Sequence, residues 1–308
     1  MGRFGRVGVL AGGPSSEREI SLRSGKAVHN ALIQEGIEAF FIDVRGNIYD
    51  IIKSEKLDVA FLALHGKFGE DGTVQRILDS AGIRYTGSAA EASKLALDKI
   101  ASKEAFVRSD IPTPKYIVAE AGTLANGKAG FNLPSWGKFP VVVKPQFEGS
   151  SIGLSVVKEA RALEGALEEA FKYGPKALVE EYISGRELTV GILNDEPLPV
   201  IEIVPKARVY DYAAKYRDPD TQYLVPAPIK ESEERSAKSL GVRSHSALGC
   251  RSFSRTDMIM DERGRIFVLE VNTIPGMTER SLLPKAAAAA GVNFNKLCVK
   301  LLEDALKA

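Results

Sequence analysis

The sequence predicts an α/β protein that opens with a doubly wound parallel sheet and continues as mixed α+β structure. Three observations carry this. The first hundred residues alternate short apolar strands with amphipathic helices, the pattern of a parallel sheet covered on both faces. From residue 139 onward strands follow one another through glycine-bearing turns, which suits antiparallel sheets. A length of 308 residues exceeds what one hydrophobic core serves, so two or three domains are expected.

Hydrophobic residues make up 44% and charged residues 26%, ordinary values for a soluble globular chain. A net charge of +1 offers no global field for nucleic acid or an anionic membrane, which leaves small molecules as the expected partners. No apolar run is long enough to span a bilayer, and the opening MGRFGRVGVLAGG passes from a short strand straight into a glycine turn. It does not read as a signal peptide, and a cytoplasmic location is expected. Cys250 and Cys298 stand in apolar helical contexts, match no metal-ligand spacing and read as core thiols of a reducing compartment.

Residues 6–10 (RVGVL) read as a buried strand. AGGPSSEREISLRSG then reads as a glycine-rich turn entering a helix, with Ser15 or Ser16 as its cap and Val28, Ala31 and Leu32 on its buried face. Neither a full G-x-G-x-x-G fingerprint nor a Walker A motif is present. Glu17, at the helix start, either meets a substrate ammonium group or simply complements the helix dipole. Strands at 37–44 (IEAFFIDV) and 58–66 (DVAFLALHG) place Asp or His near their carboxyl ends, where open α/β sheets bind ligands. His65, Glu70 and Asp71 thus fall on a loop beside that edge, and IRYTGS adds a further short strand. Residues 91–108 read as one helix before IPTPKY, with a domain boundary near residue 98. Lys99, on that helix, would by itself be a solvated charge.

FPVVVKPQ (139–146) and LSVVK are strands joined by FEGSSIG. The amides of Gly149, Ser150 and Ser151 on that loop are placed to cover phosphates, with Lys144 at the end of the preceding strand. A helix over 160–173 leads to the strands KALVEEYI and GRELTVGIL. Their Glu180 and Glu187 either contact a nucleotide's base or ribose or are ordinary exposed carboxylates. After the strand PLPVIEIVP, KARVYDYAAKYRDPDTQYLVPAP lacks helical or strand period. A loop this long in a compact enzyme is a lid or a disordered excursion, and its aromatics favour a lid.

A helix over 231–248 precedes the hairpin RTDMIMDERGRIFVLEVNTIPG. With a tight turn over Asp261 to Gly264 and Met260 opposite Arg265, Arg255 falls across from Glu270. Asp257, Glu270 and Asn272 then share its face, while Met258, Phe267, Leu269 and Val271 form the apolar one. Two carboxylates and a carboxamide suit Mg²⁺, and a neighbouring guanidinium suits charge that develops in phosphoryl or acyl transfer. The plain alternative is a salt-bridged, solvated face. The alanine run at 286–290 reads as close helix packing, and residues 294–308 as a closing helix with Leu297, Leu301 and Leu302 inward.

Six stretches in this order resemble the D-alanine–D-alanine ligases of the ATP-grasp superfamily across essentially the whole chain: GGPSSEREISLRSG, HGKFGEDGTVQ, YTGS with ASKLALDK, VVKPQFEGSSIG, YDYAAKY, and DMIMDERGRIFVLEVNTIPGMTERSLLP. The resemblance implies a three-domain ATP-grasp fold. Residues 1–98 would be a doubly wound N-terminal domain with the first D-alanine site, 99–184 a central subdomain with the phosphate-covering loop, and 185–308 a C-terminal subdomain with a lid at 205–228 and the metal site. The implied reaction joins two D-alanines at the expense of ATP through a D-alanyl phosphate, supplying a peptidoglycan precursor.

Carried over motif by motif, the resemblance puts Lys99 and Lys144 on phosphates under the 149–151 loop. Glu180, Glu181, Ile183 and Glu187 fall on adenine and ribose, and Asp257, Glu270 and Asn272 on two Mg²⁺ ions, for which Mn²⁺ can substitute. A monovalent cation is a further candidate. Glu17, Ser150 and Tyr216 form a hydrogen-bonded set tying the first domain to the closed lid, and Arg255 with the Gly276 amide forms an oxyanion site. His65 lines the first substrate's site, while Lys215, Ser281 and Leu282 hold the second substrate's carboxylate. A homodimer through the N-terminal domain is likewise implied. Tyr216 favours D-alanine over D-lactate as acceptor; the alternatives are a D-alanine–D-serine or D-alanine–D-lactate ligase, or a non-catalytic ATP-binding module.

Overall fold

The computed structural model describes residues 3–125, 128–129, 138–205 and 221–307. Its first sheet is built on β1 (Val7–Gly12), with β2 (Ala39–Val44) on one side and β3 (Val59–Leu62) then β4 (Arg84–Tyr85) on the other, every pair parallel. All six residues of β1 are buried, as a central parallel strand requires. Val7 and Val9 face α1 (Arg18–Gln34) through Val28, Ala31 and Leu32. Leu10 joins Ile48 and Ile52 of α2 (Ile48–Glu55) in a second cluster. This is the doubly wound sheet that the alternation predicted, and α3 (Thr73–Ser80) follows β3.

Two local expectations are corrected. Neither Ser15 nor Ser16 caps α1; its N-cap is Glu17, which makes no side-chain capping bond. The Ser15 hydroxyl instead accepts from the Glu17 amide at 3.2 Å and donates to the His65 carbonyl at 2.6 Å, so it serves the loop beyond β3. The single helix expected over 91–108 is two, α4 (Ala90–Leu97) and α5 (Lys99–Arg108). Asp98 leaves the helical region and caps α5 by accepting from the amides of Ile100 and Ala101. A carboxylate that bonds the amides ahead of it competes with continuation of the helix.

The second sheet runs β5 (Tyr116–Glu120), β10 (Lys176–Glu181), β8 (Val141–Pro145), β9 (Ser155–Val157), antiparallel throughout. A short hairpin of β6 (Leu124–Ala125) and β7 (Lys128–Ala129) precedes β8. The helix α6 (Leu163–Phe171) lays Leu163, Leu167 and Ala170 on Val141, Val143, Ala177 and Val179.

The third sheet orders β14 (Gln222–Leu224), β13 (Ile201–Val204), β11 (Gly185–Leu193), β15 (Phe253–Asp261), β16 (Ile266–Asn272), with β12 (Glu196–Pro197) paired to β11. Its core face packs Leu188, Val190, Met258 and Val268 on α7 (Glu231–Ala247), together with Ala96 of α4 and Phe106 of α5. Only three residues separate β10 from β11, so the second and third sheets meet along that link.

The hairpin β15–β16 keeps its turn, with Gly264 left-handed at φ 77°. Its register is shifted by one residue from that expected: Met260 pairs with Ile266. The cause is Asp261, whose amide donates to the Arg265 carbonyl at 2.9 Å while its carboxylate accepts from the amides of Arg263 and Arg265. A bulge at Leu269 then restores the ligand face, with Asp257 opposite Glu270 and Arg255 opposite Asn272 rather than Glu270. Met258, Met260, Ile266, Val268 and Val271 are the buried set; Phe267 and Leu269 are only half-buried.

The chain closes with α8 (Leu282–Ala289) and α9 (Phe294–Ala305). Leu297, Leu301 and Leu302 join the cluster under α1, each full burial contributing about 2 kcal/mol. In the alanine run only Ala286 and Ala287 are buried, and residues 288–290 are exposed. Both cysteines are free and buried, and burial pushes the Cys250 thiol up to about 12 and Cys298 likewise upward. Cys250 lies beyond the end of α7 rather than in a helix. Among the described residues no helix is long and apolar enough to cross a membrane.

Candidate active site

Two cavities open between the sheets and meet at one ion pair. The first, about 1170 Å³ of empty space with its open mouth included, lies between the second and third sheets, bordered by Lys144, Ser151, Glu181, Ile183, Glu187 and Asp257. The second, about 1430 Å³, lies between the ligand edge of the first sheet and the end of β16, bordered by Glu17, His65, Ser150, Asn272, Gly276 and Ser281. Lys99 and Glu270 line both, with Lys99 Nζ 3.1 Å from Glu270 Oε2.

Lys99 is the first residue of α5, and its ammonium also donates to the Glu148 carbonyl at 2.7 Å. It is no solvated charge. Lys144, in β8, donates to Glu180 Oε2 at 2.7 Å, and Lys103 Nζ stands 3.1 Å from Glu180 Oε1. Burial pushes the Glu180 carboxyl up, but the two ammonium groups more than offset it and hold it below the ordinary range. Glu180 is therefore not an exposed strand carboxylate. Glu181, Ile183 and Glu187 border the same cavity around the β10–β11 link, among the apolar Val142, Leu154, Val156 and Met258. A deep apolar slot with charge at one end suits a flat ring bearing phosphates.

Gly149 and Ser150 border the second cavity, and Ser151 the first. Ser150 and Ser151 are left-handed at φ 50° and 59°, a backbone state that costs an L residue about 1–2 kcal/mol. The Ser150 hydroxyl donates to the Glu17 carboxylate, joining this loop to the start of α1. Gly66, at φ 71°, passes so close that a Cβ there would stand 2.8 Å from Glu17 Oε2. His65 is buried, with Nδ1 3.0 Å from the Ile274 carbonyl and Nε2 3.0 Å from the Ser24 hydroxyl. Burial outweighs the pull of that carbonyl and lowers the imidazole to about 4, so it is neutral with its proton on Nδ1. Ser281 is the N-cap residue of α8 and accepts from the Thr278 amide at 3.1 Å; Leu282 begins the helix. Both border the cavity beside Gly276.

On the hairpin, Arg255 grips Asp257 with both arms, Nε to Oδ1 at 2.9 Å and Nη2 to Oδ2 at 2.7 Å. Thr189, the β11 partner of Asp257, donates its hydroxyl to Oδ1 at 2.7 Å. With its amide oriented to satisfy both neighbours, Asn272 accepts from Arg255 at 2.9 Å and donates to Glu70 at 2.9 Å. Among the described residues no three His, Cys, Asp or Glu side chains converge as a metal cluster. Two facing carboxylates and a carboxamide are instead a hard oxygen set. That chemistry fits Mg²⁺ or Mn²⁺, whose remaining positions go to water and phosphate, and does not fit a closed zinc site.

Every predicted site residue within the described part of the chain thus borders one of the two cavities. Tyr216 and Lys215, with Tyr210 and most of the expected lid, lie outside the described residues. Two side chains were missed as site members, Thr189 and Lys103, and Glu70, expected only to lie beside the ligand edge, borders the second cavity. Glu70 accepts from the Gly66 amide at 2.6 Å, and burial, then the charge of Glu17, push its carboxyl up to about 8. Thr189 bonds Asp257, and Lys103 forms an ion pair with Glu180. For Lys103 a signal existed: it follows Lys99 by four residues and so shares its helix face.

The chain matches two family models, D-ala D-ala ligase C-terminus over residues 106–303 and D-ala D-ala ligase N-terminus over residues 47–88. A D-alanine–D-alanine ligase of Citrifermentans bemidjiense is 45% identical over 300 residues, 97% of this chain and 96% of its own. One from Syntrophotalea carbinolica is 46% identical over the same shares. Among solved structures, the D-alanine–D-alanine ligase of Bacillus anthracis complexed with ATP superposes with a TM-score of 0.85 at 33% identity, covering 98% of each chain. A second structure of the Bacillus anthracis ligase gives 0.86 at 36% identity, covering 98% of this chain and 97% of its own.

Proposed function

The chain belongs to the D-alanine–D-alanine ligase family, and we propose that its two cavities divide that family's reaction, nucleotide in the first and D-alanine in the second. The fold is ATP-grasp, and the activity is the ATP-dependent joining of two D-alanines to D-alanyl-D-alanine for peptidoglycan synthesis. The observation that carries the division of labour is the Lys99–Glu270 pair at the junction of the cavities.

The carboxylate of the first D-alanine, in the second cavity, attacks the γ-phosphorus of ATP in the first. ADP leaves and an acyl phosphate remains. Lys99 and Lys144 hold phosphate oxygens, and the base and ribose lie along Glu180, Glu181, Ile183 and Glu187. Asp257, Glu270 and Asn272 would hold Mg²⁺, which supplies charge neutralisation for the phosphates when bound. Glu17 receives the first ammonium group, and neutral His65 lines its site. The amine of the second D-alanine, its carboxylate at Ser281, Leu282 and Lys215, then attacks the acyl carbon. The oxyanion of the tetrahedral intermediate faces Arg255 and the Gly276 amide, and the intermediate expels phosphate. Ser150, bonded to Glu17 and in this reading to Tyr216, closes the site against water, which would hydrolyse the acyl phosphate.

The same family reading places the protein in the cytoplasm as a homodimer through its N-terminal domain. It divides the chain at 1–98, 99–184 and 185–308, in step with the three sheets. The test is phosphate release from MgATP with D-alanine, L-alanine, D-serine and D-lactate in parallel, with each product identified by mass. Release with D-alanine matched by D-alanyl-D-alanine supports the assignment; a depsipeptide or D-alanyl-D-serine as main product overturns the acceptor.

A further inference from the structure

One helix places one ammonium group in the nucleotide cleft and a second behind it. Lys99 and Lys103 stand four residues apart on α5, so they share a face. Lys99 reaches the junction at Glu270, and Lys103 reaches Glu180 at the other end. The start of α5 is fixed to the second sheet by Gln146, whose amide donates to both oxygens of Asp98 at 3.0 Å.

Lys103 is only 1% exposed and does not appear among the described residues that border the cleft. Its ammonium donates to Thr113 Oγ1 at 2.7 Å and the Pro114 carbonyl at 3.4 Å and forms an ion pair with Glu180 Oε1 at 3.1 Å. Thr113 passes its own proton to the Val268 carbonyl at 2.7 Å. The cation is therefore spent on the protein and belongs behind the site. Burying an ammonium is expensive, and Lys144 already pairs with Glu180 from the cleft side. Lys144, however, borders the cleft and is needed at the phosphates, whereas Lys103 is anchored and cannot follow a ligand.

We propose that Lys103 is a positioning residue that keeps Glu180 an ionised, acceptor-only carboxylate and thereby makes the cleft select a 6-aminopurine over a 6-oxopurine nucleotide. The selection rests on the placement of the base at the Glu180 to Ile183 end proposed above. An ionised carboxylate accepts and cannot donate, so it attracts an exocyclic amine and repels a carbonyl oxygen at the same position. A protonated or turned Glu180 loses that discrimination.

The experiment compares kcat/KM for ATP and inosine triphosphate at saturating D-alanine, using the full chain with Lys103→Met, Lys103→Arg, Glu180→Gln and the Lys103→Met/Glu180→Gln pair. The expected result for Lys103→Met is a fall of about tenfold in the ATP preference, carried by KM for ATP, with KM for D-alanine unchanged. Lys103→Arg, which keeps the cation, retains the preference. Glu180→Gln loses it, and the double variant, which removes the charge of both members of the Lys103–Glu180 pair, loses no more than Glu180→Gln alone. If Lys103→Met depresses both nucleotides equally, or the double variant loses further discrimination, the role of Lys103 is overturned. If Glu180→Gln leaves the preference intact, the base does not sit at Glu180 and the placement itself fails.

Discussion

Ser150 donates its hydroxyl proton to the carboxylate of Glu17, 133 positions earlier in the chain. The bond holds a left-handed serine at φ 50° and fastens the loop between β8 and β9 to the start of α1. A hydrogen bond to a charged acceptor contributes about 1.5–3 kcal/mol. Ser150→Ala should free the loop while leaving Lys99 and Lys144 in place. The expected outcome is a fall of about 10- to 100-fold in kcat/KM for D-alanine with KM for ATP little changed. Steady-state kinetics with each substrate varied in turn check this, and an equal loss for ATP would count against the assignment.

Thr189 and Asp257 face each other across β11 and β15, joined by a 2.7 Å hydrogen bond. Outer partners of this kind orient a ligating carboxylate, and their loss typically weakens metal affinity about 10- to 100-fold. Thr189→Val keeps the shape and removes the bond. The Mg²⁺ concentration for half-maximal activity should rise about tenfold while KM for ATP at saturating Mg²⁺ stays put. A magnesium titration that superposes on the unchanged chain's would show that Asp257 needs no such support.

The ligand face of the hairpin was legible because strand side chains alternate, and Asp257, Glu270 and Asn272 are polar at the right parity. Its register was not. Ile266 to Leu269 is an unbroken apolar run, so nothing in it marks Leu269 as the extra residue, and the Asp261 bonds that set the turn are a property of the folded loop. The first sheet was readable from its buried strands, whereas the break at Asp98 hid inside a good helical period although an Asp there is a capping signal. Lys103 and Glu180 are 77 positions apart by their numbers in the chain, and no local pattern foretells such a pair. The motif resemblance had already assembled residues from all three sheets, which periodicity alone never does.

His65 takes up a proton only near 4 in the folded chain against 6.5 when unfolded, chiefly because it is buried. Between those values the unfolded state binds more protons, so this residue's contribution is complete above about 6.5 and is lost as pH falls toward 4. His65→Gln cannot titrate. At pH 7 it should be less stable by about 1–2 kcal/mol for its impaired bonds to Ile274 and Ser24, and the gap should narrow by pH 4.5. Urea unfolding at both pH values decides it; a gap that stays constant would mean His65 is not the acid-sensitive group.

Glu70 runs the other way. Its carboxyl is pushed from 4.5 up to about 8, first by burial and then by Glu17, while the Gly66 amide and Arg255 pull it down. In the folded chain it keeps a proton that the unfolded chain has lost, so between about 4.5 and 8 the native state binds more protons and stability falls as pH rises. Glu70→Gln imitates the protonated acid, its oxygen still able to accept from Gly66. In metal-free, nucleotide-free buffer the variant should match the unchanged chain near pH 5 and exceed it at pH 8 by on the order of 1–3 kcal/mol. Glu17 provides the control, since Glu17→Gln removes the charge that helps raise the Glu70 carboxyl, so the decline should be smaller and end at lower pH. Unfolding midpoints at pH 5 and pH 8 that differ equally, with or without the Gln, would place the strain of this charge cluster elsewhere.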